Sequence, residues 1–131
     1  MESQTLDMHM ISNNSSVNVK FWDIEAKMYR LGLLTFDTGA SVTTILKYAL
    51  FDLGYNITDG KMQQITTASG VEYVREVTIM IGGYELENVF VYAHTFPEES
   101  FTTGVIGLNI LSLFGINMLF SKRQIILEKF T

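Results

Sequence analysis

The chain has 131 residues, 47% hydrophobic and 18% charged, the make-up of one folded domain with its own core. At this length about two thirds of the unfolded surface is buried on folding, so no disulfide or structural metal is required. Nine basic against 14 acidic residues give a net charge of −5, the wrong sign for a phosphate backbone, so no nucleic-acid partner is expected.

Residues 1–16 are polar and rich in Ser and Asn, which predicts a flexible N-terminal arm or an edge segment; residues 17–131 form the domain. The N-terminus has neither a basic n-region nor an apolar h-region, so it does not read as a signal peptide. The chain has no Cys, which removes thiolate nucleophiles and Cys-based zinc sites and fits a reducing compartment. A cytoplasmic location is therefore expected. With His9 and His94 as its two histidines, no metal site and no cofactor are expected.

From Val17 the pattern is β. Val17, Val19 and Phe21 alternate with Asn18, Lys20 and Trp22, residues 23–26 make a turn, and residues 27–36 return as a strand. Residues 42–45 are a short strand, and 47–53 a helical turn closed by Gly54. Residues 65–67 and 71–81 flank Ala68-Ser69-Gly70 as a long hairpin with a small-residue tip. Gly82-Gly83 supplies a two-residue turn of the primed type before a strand at 89–93. Residues 109–114 have the composition of a short helix, with Gly115 as its C-cap. A last hairpin, 116–120 and 124–127, turns at Ser121-Lys122-Arg123. Many short strands, tight turns and little helix give an all-β barrel or sandwich.

Residues 101–121 carry no charge over 21 positions, long enough for a membrane span. Gly104, Gly107, Asn109, Ser112, Gly115 and Asn117 punctuate the run, and two amides in hydrocarbon would each need a buried partner. The run reads better as strand, helix and strand, and no membrane partner is expected.

The chemical signal is Leu33-Leu34-Thr35-Phe36-Asp37-Thr38-Gly39-Ala40-Ser41. An apolar strand delivers a carboxylate straight into a Thr-Gly turn. Such an Asp either shapes the turn through its own backbone or does chemistry. A phosphoaspartate site would need further acidic metal ligands nearby and a phosphate-binding glycine loop, and neither is present. Further on, Val105-Ile106-Gly107 puts two β-branched residues and a glycine ahead of a short helix.

With these residues in order the chain resembles the retropepsin-like aspartic proteases, bacterial members included. The anchors are Asp37-Thr38-Gly39-Ala40, the hairpin at Ala68-Ser69-Gly70, and Gly104-Val105-Ile106-Gly107-Leu108-Asn109. The resemblance implies a closed acid-protease barrel with one short helix near the C-terminus. It also implies an aspartic endopeptidase that works as a homodimer on extended peptide or protein substrates. Asp37, Thr38 and Gly39 match the catalytic triplet, and the Thr38 hydroxyl would brace the opposing loop. Gly39, Ala40, Ser41, Thr67, Ala68, Ser69, Gly70 and Val105 match substrate-binding positions, with 67–70 as the flap. Apolar residues are expected near the scissile bond.

Two departures stand out. Where retroviral members carry an acid after the Ala and an arginine between the later Gly and Asn, this chain has Ser41 and Leu108. Both halves of that ion pair are missing together, so neither charge is left buried alone. The chemistry also calls for a second carboxylate, one acting as base toward water while the other, protonated, polarises the carbonyl. The chain holds a single Asp-Thr-Gly, so the second would be Asp37 of another copy across a twofold axis. Such a pair titrates as a unit, giving activity at acidic to near-neutral pH. The alternative is a catalytically inactive retropepsin-like module for dimerisation or peptide binding.

Overall fold

The computed structural model describes residues 3–55, 62–64, 72–94 and 102–129, with side chains left out at 62–64 and 72–75. In chain order the strands are β1 (Ser3–Asp7), β2 (His9–Ile11), β3 (Asn14–Asp23), β4 (Met28–Phe36), β5 (Thr44–Leu46), β6 (Met62–Gln64), β7 (Glu72–Ile81), β8 (Tyr84–His94), β9 (Gly104–Ile106), β10 (Phe114–Leu119) and β11 (Gln124–Lys129). Helix α1 (Lys47–Asp52) follows β5, and α2 (Leu108–Leu111) follows β9.

The larger sheet runs β2-β3-β4-β9-β5-β8-β7-β6, and a further pairing of β3 with β7 closes it. The ring β3-β4-β9-β5-β8-β7 is a closed six-stranded mixed barrel. Its parallel pairs are β4 with β9 and β5 with β8. The second sheet, β1-β11-β10, is antiparallel. Closure removes two edges that would otherwise invite pairing with other chains.

Period-two burial builds the barrel. Val17, Val19 and Phe21 of β3 are buried while Asn18 and Lys20 are exposed, as the alternation predicts. Leu34, Ile45, Val77, Ile79, Val91 and Ile106 fill the interior, and Ile125 and Leu127 bring the second sheet into the same core. At the β7–β8 turn Gly82 takes the left-handed φ of +59° that a primed turn needs at its first position.

The β3–β4 turn is held by Asp23, which is 2% exposed. Its carboxylate accepts from Glu25 N–H at 3.0 Å and Ala26 N–H at 2.8 Å, and pairs with Arg30 Nε at 2.5 Å. The Ala26 hydrogen bond foremost, and then Arg30, hold its carboxyl below the ordinary aspartate value. A depressed carboxyl stabilises the fold fully above its unfolded value and loses that contribution as pH falls through the folded one. An Asp23→Asn variant should therefore melt below wild type by a constant margin above about pH 5, with the margin closing below about pH 3. Melting temperatures measured from pH 2 to 7 check this; a margin independent of pH would remove the assigned cause.

Several boundaries differ from expectation. Residues 1–16 suggested a flexible arm or edge segment; their described part carries the edge strands β1 and β2, β1 paired to β11 and β2 to β3. Leu6 and Met10 pack on the core and Met8 is buried among it, which anchors an otherwise polar stretch. The helix expected at 109–114 is α2, shorter and starting one residue earlier. Phe114 and Gly115 belong to β10, opposite Lys129 and Glu128, because pairing with β11 satisfies more backbone than another helical turn would. Gly115 is thus a strand residue, not a cap. Residues 102–121 form β9, α2, β10 and a 3-10 turn at Phe120–Lys122, and no helix among the described residues is long and apolar enough to cross a membrane.

Candidate active site

β4 leaves the barrel at Phe36, and the chain turns at once through Asp37, Thr38 and Gly39, all three exposed. Gly39 N–H donates to Asp37 Oδ1 at 2.9 Å, and Ala40 N–H donates to the Asp37 carbonyl at 3.2 Å. One carboxylate oxygen thus shapes the turn. The other has no hydrogen bond among the described residues and faces outward.

The loop is held from behind by the segment after β9. Asp37 N–H donates to the Ile106 carbonyl at 3.1 Å, Leu108 N–H to the Ala40 carbonyl at 2.8 Å, and Asn109 N–H to the Ser41 carbonyl at 3.1 Å. Ala40 is half-buried, and Ser41 is exposed with its carbonyl engaged. At the two positions lacking the retroviral ion pair, Ser41 and Leu108, the link between the segments is made by backbone.

Asn109 does more than the sequence revealed. Its Oδ1 accepts from both the N–H and the hydroxyl of Thr43 at 2.8 Å, and its Nδ2 donates to the Phe90 carbonyl at 2.7 Å. Thr43, fully buried, accepts in turn from Gly107 N–H at 3.1 Å. One amide thereby fixes the chain beyond the Asp-Thr-Gly turn, the entry to α2 and β8. Gly107 permits this approach: a Cβ there would sit 2.5 Å from the Val42 carbonyl carbon and 2.7 Å from Thr43 N. The Gly-x-Asn spacing was the available signal, but nothing in it announced an amide engaged on both its oxygen and its nitrogen.

Val105 is the Cα partner of Thr35 across the parallel β4–β9 pair, so both stand beside Asp37. Together with Asn14, Phe36, Thr102 and Gly104 they line a cleft of about 330 Å³ that includes Asp37. On its other side, Thr38 borders an apolar cavity of about 610 Å³ walled by Phe36, Leu108, Leu111, Ile116 and Met118. Thr67, Ala68, Ser69 and Gly70, expected as the flap, lie outside the described residues; β6 and β7 pair antiparallel on either side of them. No group of three or more His, Cys, Asp or Glu side chains able to hold a metal occurs among the described residues.

A family model described as aspartyl protease matches residues 32–110, the stretch that holds the second half of β4, the Asp37 turn, β9 and the start of α2. The chain belongs to the aspartyl protease family. Its fold is that of the retropepsin-like members. A retropepsin-like aspartic protease from Rickettsia conorii superposes with a TM-score of 0.63 at 17% identity, covering 96% of this chain and 89% of that one. The retroviral protease-like domain of Ddi1 from Leishmania major gives 0.50 at 13% identity, covering 79% and 81%. No curated protein matches the chain in sequence.

Proposed function

We propose that this aspartyl protease family member is an aspartic endopeptidase whose catalytic unit is a homodimer with paired Asp37 carboxylates. The observation that carries the reading is the outward carboxylate of Asp37 on a turn fastened by three backbone bonds to the 106–109 segment. A turn fixed this firmly keeps the carboxylate pre-positioned, as catalysis by positioned groups requires.

Two carboxylates about 3 Å apart repel by about 5 kcal/mol at an effective dielectric near 20, so the pair holds one proton between them. The ionised member takes a proton from water as its oxygen bonds the peptide carbonyl carbon, while the protonated member gives its proton to the carbonyl oxygen. In the tetrahedral adduct the newly protonated carboxyl gives its proton to the amide nitrogen while the ionised one takes a proton from a hydroxyl of the adduct; the C–N bond breaks, a new acid and amine leave, and the pair again holds one proton. Thr38 braces the partner loop, Gly39 and Ala40 meet the substrate backbone, and Ser41 flanks them.

The second copy would cover the apolar cavity beside Thr38. Leu108 and Phe120 there are 44% and 50% exposed, an apolar surface continuous with the catalytic loop. Ser15 lines the same cavity, and its buried hydroxyl has no partner among the described residues. Apposition of a second copy would remove the apolar surface from water and bring polar groups within reach of Ser15.

Purified protein should cleave an unfolded protein at about pH 4 to 6, the range of carboxylate pairs. Light scattering at micromolar concentration should give the mass of a dimer. A dimer that binds peptide but cuts nothing from pH 3 to 8 would support the inactive binding module in its place.

A further inference from the structure

The cleft beside Asp37 has a lining that the sequence did not suggest. Ser16, Thr35 and Val105 are consecutive cross-strand partners on β3, β4 and β9, so they share one face of the barrel wall. Thr35 Oγ1 lies 2.9 Å from Ser16 Oγ, which is fully buried, and donates to Thr102 Oγ1 at 3.5 Å. Thr102 Oγ1 donates to the Gly104 carbonyl at 3.2 Å. A hydroxyl has one proton and two lone pairs. Whichever hydroxyl of the Ser16–Thr35 pair donates, Thr35 Oγ1 is left with a lone pair once its contacts with Ser16 and Thr102 are made. Asn14, at the rim, directs its Nδ2 to the Ser12 carbonyl at 3.4 Å and keeps its carbonyl oxygen as an acceptor.

We infer that this cleft is a substrate subsite selecting a neutral, hydrogen-donating side chain (Asn, Gln, Ser or Thr) next to the scissile bond, with Thr35 as the specificity-determining residue. The inference rests on the protease reading and replaces the expected apolar preference at this position. Thr35 Oγ1 and Asn14 Oδ1 offer lone pairs, and Asp37 adds negative charge. An aliphatic side chain would exclude water from these acceptors and give them nothing in return. An Asp side chain would bring acceptors against acceptors beside a carboxylate. An Asn amide, similar to Leu in shape, supplies two N–H groups.

The test uses peptides identical but for Asn, Leu or Asp at the residue adjoining the cut. Wild type should favour Asn over Leu in kcat/KM by about tenfold, what one unpaired polar group in a partly wet pocket is worth. It should cleave the Asp peptide least. Thr35→Val, which keeps the volume and removes the hydroxyl, should bring Asn and Leu to near parity; Thr35→Ser should retain the preference. Equal or faster cleavage of the Leu peptide by wild type overturns the subsite while leaving the protease reading intact. Should no peptide be cut, the protease reading fails, and the subsite is still read by binding. Hydroxyl-bearing mimics of the tetrahedral adduct, one with Asn and one with Leu, should then differ by about tenfold in Kd in favour of Asn. Tighter or equal binding of the Leu mimic, or binding of neither, overturns the inference.

Discussion

Asp37→Asn is expected to lower peptide hydrolysis on the order of 10⁴-fold while leaving the melting temperature within about 1 °C of wild type. The two halves of this prediction come from different observations. Stability should hold because the side chain is exposed and an Asn Oδ1 can still accept from Gly39 N–H, which wild type donates at 2.9 Å. Activity should fall because an amide neither takes a proton from water nor returns one to the leaving nitrogen. A dimer in which both copies carry Asp37→Asn has no shared proton to move. Hydrolysis of a peptide series, with melting curves on the same preparations, checks both. Retained cleavage would mean that the outward carboxylate is only part of a turn.

Gly107→Ala should damage both the fold and the site, costing about 3 kcal/mol and lowering Tm by about 10 °C. The added methyl would lie 2.5 Å from the Val42 carbonyl carbon and 2.7 Å from both Thr43 N and the Val42 carbonyl oxygen. These neighbours are backbone and cannot rotate away. Relief requires the segment to move, and Gly107 N–H then loses the Thr43 hydroxyl at 3.1 Å. The same shift would loosen Asn109, whose amide holds Thr43 and Phe90. The loop carrying Asp37 is tied to that segment through Ile106, Leu108 and Asn109, so cleavage should drop along with stability. Thermal unfolding and peptide hydrolysis of the variant read the two effects; a Tm within about 2 °C of wild type would show that the packing is looser than described.

What the sequence disclosed follows from how local the cause is. Val17, Val19 and Phe21 announce their strand because the alternation is complete within five residues and owes nothing to the rest of the chain. The Asp37 turn is legible for the same reason, since the Thr and Gly that shape it are the next two residues. The boundary between α2 and β10 was not. Residues 108–120 are apolar with no clean period, and Phe114 becomes a strand residue because Lys129 lies opposite it, a fact held 15 positions away. The Asp37 cleft is the extreme case. Thr35 reads as a strand residue between Leu34 and Phe36, and its hydroxyl acquires meaning from Thr102, 67 positions on. Asn109 in an apolar run looks the same in sequence whether its amide meets water or, as here, Thr43 and Phe90.

Subunit mixing tests the pairing of two Asp37 carboxylates most directly. Wild-type protein is combined with a ninefold excess of Asp37→Asn protein, allowed to exchange subunits, and assayed at constant wild-type concentration. If catalysis needs one intact Asp37 from each copy, random pairing leaves about a tenth of the wild-type subunits with a wild-type mate, and the rate falls about tenfold. A rate unchanged by the added variant, with exchange verified by mass, would mean that each Asp37 acts without its counterpart.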